Sequence, residues 1–389
     1  MKHKALTFTP LNTMKNLVIM ISILLGSTLV FALSALLVFL AYAPQFGASP
    51  NEAARSNYAE FEFFDGTKFF NAVPTEMDMQ LSEIPKMMYE FWFVKGNKVP
   101  PALLPQKNFT TADLALHNDS NLYYRWFGHS AIYMEIDGKR LLLDPMLGPA
   151  AAPHPLLGPN RFNKDLPIRP EDLPEIDAVI FSHDHYDHLD HPTIVKIKDK
   201  VGHFYVPLGL GSHLEKWGVV KEKITELKWW DEMDFDGIRL ACTPARHFSG
   251  RSMTDRNKTL WASWVIQGKH HKVFFSGDGG YWHGFKDIGD KYGPFDLSFM
   301  ECGAYNVRWH AIHMYPEESA QAGVDLQSRR MMPIHWGGFN LSLHNWDDSP
   351  KRVGVKAKEL GLTLVTPIIG EEVIIPAYVP NEQWWDGVH

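Results

Sequence analysis

Ten residues, FSHDHYDHLD at 181–190, carry three histidines and three aspartates directly behind the apolar run IDAVI. In an extended segment residues two apart point the same way, so His183 and His185 can present their imidazoles to one point. Asp187 and His188 follow as a second pair, which gives donors for two ions. A helical site would instead space its histidines four apart, on one turn. In a chain with 19 histidines a solvated surface turn is the bland alternative. The two readings differ in what they require of the fold, because a metal site needs further ligands brought from elsewhere. Three isolated residues supply them, each where an apolar run ends: His247 after LACTPAR, Asp278 closing KVFFSGD, and His335 after MMPI. Beyond the carboxyl ends of strands is where ligands gather in open α/β sheets, so all of these can reach one sheet edge. Gly277, Gly279 and Gly280 flank Asp278 and permit a tight turn there. Taken singly, His247 or His335 reads as a hydrogen-bonded structural histidine; taken jointly, and in this order, the residues read as a metal site.

The surrounding pattern is that of a layered α/β domain with mixed sheets. Tyr124–Phe127, Ala131–Ile136 and Arg140–Leu143 read as strands, with Asp137-Gly138 as a hairpin turn between the second and third. DAVIFS, HFYVP, RLACTP, KVFFSGD, LSFME and MMPIHW read as further strands. Helical patterns lie between them in HPTIVKIKDK, LGSHLEKWG and PEESAQAGVDLQSRR.

The N-terminus is different in kind. About 28 residues from Asn16 to Ala43 carry no charge, more than the roughly 20 that cross a bilayer as helix. An uncleaved anchor is expected at 16–43, although AYA at 41–43 resembles a signal cleavage site; Pro44 after the cut disfavours processing. Lys2, Lys4 and Lys15 precede the span and Arg55 alone follows closely, so residues 1–15 are expected in the cytoplasm. The bulk of the chain then lies outside, in the periplasm if the cell is bacterial. Residues 44–115 are punctuated by Pro, Asn and Gly and read as an irregular segment packed on the domain or on the membrane surface. The main domain is expected at 116–389. A formal charge of -7 without a basic run argues against nucleic acid as a partner. Cys242 and Cys302 sit in apolar stretches and read as buried free thiols, which excludes a disulfide framework and a thiolate metal site.

The motif His183-x-His185-x-Asp187-His188, followed by His247, Asp278 and His335, resembles the binuclear metal pattern of the metallo-β-lactamase fold. Over about residues 120–345 the resemblance extends to the phospholipases D that hydrolyse N-acyl-phosphatidylethanolamine and their bacterial relatives. It is carried by WFGHS, GPNRF, LPEIDAVIFSHDHYDHLD, LKWWDE, TPARHF, NKTLWASW, GDGGY, GAYNVRW, HMYPEE and IHWGGF, in family order. The resemblance implies a four-layer αββα fold behind the N-terminal transmembrane helix. It implies two Zn²⁺ per subunit: the first on His183, His185 and His247, the second on Asp187, His188 and His335, with Asp278 bridging. Nitrogen and carboxylate donors without thiolates suit zinc, and iron or manganese is compatible with the same set. A water held between two such ions is deprotonated near neutral pH and can attack phosphorus in line. Asp187, Asp278 and His313, the last as donor to a phosphoryl oxygen, are the implied catalytic residues. No G-x-S-x-G nucleophile elbow is visible.

Other positions carry weaker signals. His129 and Asp144 fall at strand ends and read either as partners that orient ligands or as ordinary turn residues. Asp184 and Asp190 are expected to be solvated or capping, and LGLGSHL at 208–214 reads as a strand-to-helix connection. Trp229, Trp230, Trp384 and Trp385 are expected in the core in preference to an acyl-chain groove. The anchor departs from the animal enzymes of the family, and so does the sequence before about residue 115. A membrane tether favours a lipid substrate. The alternatives are a hydrolase of this fold acting on a lactone, a sugar-phosphate lactone or another ester or amide, and a non-catalytic metal-binding envelope protein.

Overall fold

The computed structural model describes residues 10–76, 81–94, 96–117 and 120–389. It divides into two compact units, one ending at Phe46 and the other running Gly47–His389. The first is dominated by helix α1, Pro10–Tyr42, whose stretch Met14–Tyr42 is long and apolar enough to cross a membrane and is nowhere buried. Of the segment 1–15 expected in the cytoplasm, residues 1–9 lie outside the described residues.

In the second unit the strands are β1 Leu122–Trp126, β2 Ile132–Ile136, β3 Lys139–Leu143, β4 Ile176–Ile180, β5 Val201–Pro207, β6 Ile224–Leu227 and β7 Glu232–Phe235. They continue as β8 Ile238–Thr243, β9 Ser263–Gln267, β10 Lys272–Phe275, β11 Leu297–Glu301, β12 Arg330–Ile334, β13 Thr363–Leu364 and β14 Glu372–Ile375. The helices are α2 Glu52–Asn57, α3 Ile84–Phe93, α4 His191–Ile197, α5 Gly211–Lys216, α6 Gly284–Tyr292, α7 Pro316–Asp325 and α8 Asp348–Leu360. Local chemistry sets several of these boundaries. Asp137 and Gly138 have φ of 49° and 74°, the two left-handed positions of a type I′ hairpin turn. At α4, Asp190 caps the helix by accepting from Thr193 N at 2.9 Å, with Pro192 in the first turn.

Two seven-stranded sheets result, ordered β14-β1-β2-β3-β4-β5-β6 and β13-β12-β11-β10-β9-β8-β7. Side chains alternate across each pleat, and both faces of the sheets are covered. Leu141, Leu143, Ala178 and Ile180 meet Cys242, Trp264, Phe275 and Phe299 in the core between the sheets. Their neighbours Leu142, Val179 and Phe181 point outward to Ile194 and Ile197 of α4 and Leu214 of α5. On the other outer face Val265, Phe274 and Met300 pack with Ile288 of α6, Ala320 and Ala322 of α7, and Val353 of α8. This is the four-layer αββα arrangement, and it explains why the strands read as near-continuous apolar runs. Residues 47–115 belong to this unit: Tyr58, Phe61, Phe64 and Phe69 are buried in the central core, Phe61 edge-on to Trp229 with ring centroids 5.7 Å apart. Cys242 and Cys302 are buried and free.

Topology decides where the strand ends point. The pairs β3–β4, β4–β5 and β5–β6 are parallel, while β1–β2 and β2–β3 are antiparallel, so β1, β3, β4 and β5 run one way. In the second sheet β10–β11 and β11–β12 are parallel and β8–β9 and β9–β10 antiparallel, so β8, β10, β11 and β12 share a direction. Each set therefore delivers its carboxyl ends to one edge of its sheet.

Candidate metal centre

Every candidate ligand sits just past one of those ends. His183, His185, Asp187 and His188 follow β4; His247 follows β8, Asp278 follows β10 and His335 follows β12. Together with His129 they fall into two groups of donors, the ligand atoms within each group all lying within 4.8 Å of one another: His183, His185, His247 and Asp278, and His129, Asp187, His188 and His335. Asp278 stands between them. Its Oδ2 is 3.8 Å from both His183 Nε2 and His247 Nε2, and 3.1 Å and 2.9 Å from His188 Nε2 and His335 Nε2. Asp187 Oδ2 is 3.1 Å from His335 Nε2 and 3.5 Å from His188 Nε2.

The backbone is bent to bring these side chains in. Gly277 has φ of 56°, and a Cβ there would lie 2.5 Å from Ser182 Cβ, so only glycine lets β10 turn this close to the loop after β4. Three non-glycine residues of the site, His129, Asp144 and His335, hold φ of 59°, 38° and 66°. Such conformations persist only where surrounding structure enforces them, and they concentrate at functional sites.

A second layer fixes the rings. Asp144 Oδ2 is 2.6 Å from His188 Nδ1, and its Oδ1 accepts from Ser182 N at 2.7 Å. His247 Nδ1 donates to Ile312 O at 2.9 Å. Glu301, wholly buried at the end of β11, lies with Oε1 3.1 Å from His313 Nδ1 and accepts from Met314 N through Oε2 at 3.0 Å. The bonds to His188 and His247 use Nδ1 and leave Nε2 directed inward, which sets both ring orientation and tautomer.

Electrostatics divide the histidines. Burial holds His183 and His247 well below the ordinary imidazole value, so these rings are neutral and keep a lone pair for a cation; burial followed by His335 takes His129 down to about 3, so it is neutral as well. His335 goes the other way. Burial favours its neutral form but is outweighed by Asp278 and Asp187, which raise it to about 10; His188 is raised well above the usual value in the same manner. Asp187 and Asp278 stay ionised far into acid, because His188 first and then the other imidazoles overcome the cost of burial. Burial raises both Asp144 and Glu301.

These residues fit a pair of divalent cations. Five imidazoles face two carboxylates with no thiolate among them, and Asp278 Oδ1 is buried with no hydrogen-bond donor, which a cation would satisfy. The cluster forms the floor of a pocket of about 480 Å³, into which His185, Asp187, Asp278, His313 and His335 all open. Apolar side chains make the walls: Met87, Met88 and Phe91 of α3, Leu157, Trp309 and Leu341.

The family model for the Beta-lactamase superfamily domain matches residues 139–336. The chain belongs to this superfamily. It is a metal-dependent hydrolase of metallo-β-lactamase fold. Among its relatives, an uncharacterized protein of Mycobacterium tuberculosis is 38% identical over 322 residues, 82% of this chain and 85% of the relative. The N-acyl-phosphatidylethanolamine-hydrolyzing phospholipase D 1 of Caenorhabditis elegans is 33% identical over 275 residues, 68% of this chain and 76% of the relative. In fold the hydrolase is similar to a "possible metal-dependent hydrolase" from Veillonella parvula, with TM-score 0.52 and 17% identity, over 67% of this chain and 99% of that one.

Some expectations for single residues change. Asp190 is the helix cap expected of it. Asp184 is not solvated: it is 1% exposed, accepts from Gly250 N at 2.7 Å and Thr259 Oγ1 at 2.8 Å, and lies 3.2 Å from His213 Nε2. It anchors the loop behind His247 from inside. Trp229 and Trp385 are core residues, but Trp230 is 37% exposed; none of the four tryptophans lines the pocket. Two contributors were not singled out from the sequence, Glu301 and the α3 wall. Glu301 carries the same signal as the ligands, a charged residue closing an apolar run, in LSFME.

Proposed function

We propose that this hydrolase is a membrane-anchored binuclear zinc phosphodiesterase of phospholipase D type, converting N-acyl-phosphatidylethanolamine and water to phosphatidic acid and N-acylethanolamine. One observation carries this reading: an ionic floor that matches a phosphodiester lies at the bottom of a pocket whose walls match acyl chains. The C. elegans relative is named for that reaction. His183, His185 and His247 would hold one ion, Asp187, His188 and His335 the other, and Asp278 both. Bound there, such ions activate water near neutral pH and neutralise charge on the phosphoryl oxygens. The protein supplies the rest. Met87, Met88, Phe91 and Leu157 seat the apolar part of the substrate and exclude water. Glu301 holds the His313 ring by Nδ1 and so orients it in the pocket, where it would donate to a phosphoryl oxygen or to the departing alkoxide. The reading extends to the chain as a whole, with residues 1–15 cytoplasmic, 16–43 spanning the membrane, 44–115 connecting, and the hydrolase at 116–389 on the outer side. The uncharged run Asn16–Ala43 and the lysines before it support that order.

The test is a panel of phospholipids, a lactone, a β-lactam and a soluble phosphodiester, offered to the metal-loaded full chain and read by mass spectrometry. Phosphatidic acid plus N-acylethanolamine, both missing with Asp278→Asn, is the expected outcome. An untouched N-acyl lipid beside a cleaved lactone or β-lactam would overturn the proposal.

A further inference from the structure

We infer that His129 is a positioning residue for the second ion: by donating Nε2–H to Asp187 Oδ2 it fixes the orientation of a carboxylate that would hold that ion. The inference rests on the binuclear reading above. His129 lies outside the motif that follows β4, and its surroundings show a residue held in place for one contact.

Its backbone is left-handed, φ 59°, directly after Gly128 at φ 85°. Asparagine or glycine would sit there with less strain than histidine, so the imidazole is present for its side chain. The strand end clamps it from both sides. His129 N donates to Trp336 O at 2.9 Å, and His129 O accepts from His335 N at 3.0 Å and from Trp126 Nε1 at 2.8 Å. Gly338 presses on it so closely that a Cβ there would lie 2.7 Å from His129 Cβ. The ring packs against His335 with centroids 4.1 Å apart.

Hydrogen-bond accounting then gives the tautomer. The side chain is fully buried, and Nδ1 has no partner, so a proton on Nδ1 would be a buried donor left unpaired. On Nε2 the same proton meets Asp187 Oδ2 at 2.9 Å. The same Oδ2 lies 3.1 Å from His335 Nε2 and 3.5 Å from His188 Nε2, so His129 holds the oxygen that faces the other donors of the second ion. Asp187 lines the pocket, whereas His129 does not, so the contact acts on the ligand without touching substrate.

His129→Asn is the test, because asparagine tolerates the left-handed backbone and the fold is expected to survive; circular dichroism and the thermal midpoint check this. Chelator-stripped protein is titrated with Zn²⁺ and with Co²⁺, by calorimetry and visible absorption. The wild type should bind two equivalents. In the variant the first should be unchanged and the second weakened about 10- to 100-fold, with the Co²⁺ bands of the second equivalent shifted. Identical affinities and spectra in both proteins would overturn the assignment. Loss of a nitrogen ligand from the Co²⁺ spectrum would also overturn it, by making His129 itself a ligand. A wild type that binds one equivalent would instead refute the binuclear reading.

Discussion

Removing the metals should make the fold alkali-sensitive, and the site geometry says by how much. In the stripped protein Asp278 and Asp187 have only imidazolium ions to balance them: His335 Nε2 stands 2.9 Å and 3.1 Å from the two carboxylates, and His188 Nε2 stands 3.1 Å from Asp278. His335 is raised from 6.5 to about 10, and a folded-state value above the unfolded one stabilises the fold fully below pH 6.5. That stability drains away as pH climbs through the folded value, leaving buried carboxylates without counter-charge. Carrying one imidazole over that interval is worth roughly 5 kcal/mol at most, which is comparable to the whole stability of many domains. Asp187 and Asp278, held below their usual value, lose their contribution only in strong acid, so the alkaline window belongs to the histidines. Urea titrations of chelated and metal-loaded protein between pH 6.5 and 10 provide the assay. The chelated midpoint should fall steeply while the loaded one stays nearly level, since cations replace the protons. Calorimetry in buffers of different ionisation enthalpy should find about two protons released on loading near pH 7.5. A chelated protein whose midpoint is flat over that range, with proton release near zero, would refute the charge assignment.

Other consequences are more local. Glu301→Gln keeps the shape of the residue but weakens its hold on His313, and kcat should drop on the order of 10²-fold with KM nearly constant; equal losses in both would point to damaged binding. Phe91→Ala opens the pocket wall and should raise KM for a long-chain lipid roughly 10-fold, leaving a short soluble phosphodiester unaffected in steady-state assays. Trp264→Ala empties the central core beneath the site and removes the 2.9 Å bond from Trp264 Nε1 to Phe181 O, so urea unfolding should report a loss of about 3–5 kcal/mol.

Much of the site was legible because strand ends and ligands coincide in the chain. An apolar run marks a strand, and the first charged residue after it marks the edge, so His183, His247, Asp278 and His335 could be read together without knowing the sheet order. Glu301 obeys the same rule and went unread because one acid closing LSFME is also an ordinary strand terminus; only its distance to His313 separates the two. Asp184 was misjudged for the opposite reason. Its partners Gly250, Thr259 and His213 lie far along the chain, and nothing local distinguishes an acid buried by them from one in water. The same holds for α3, whose contact with a site built around residues 183–335 is long-range. β9 and α8 were likewise unread: DSPKRVGVKAKEL buries Val353 and Ala357 only through contacts with distant elements, so tertiary packing rather than local pattern fixes it.

Hydrolysis in H₂¹⁸O addresses the central claim, attack of water on phosphorus in a site without a protein nucleophile. With N-acyl-phosphatidylethanolamine and the metal-loaded full chain, one ¹⁸O should appear in phosphatidic acid and none in N-acylethanolamine, and added ethanol should yield no phosphatidylethanol. Label in the N-acylethanolamine, or a phosphatidylethanol product formed through a covalent phosphatidyl-enzyme, would contradict it.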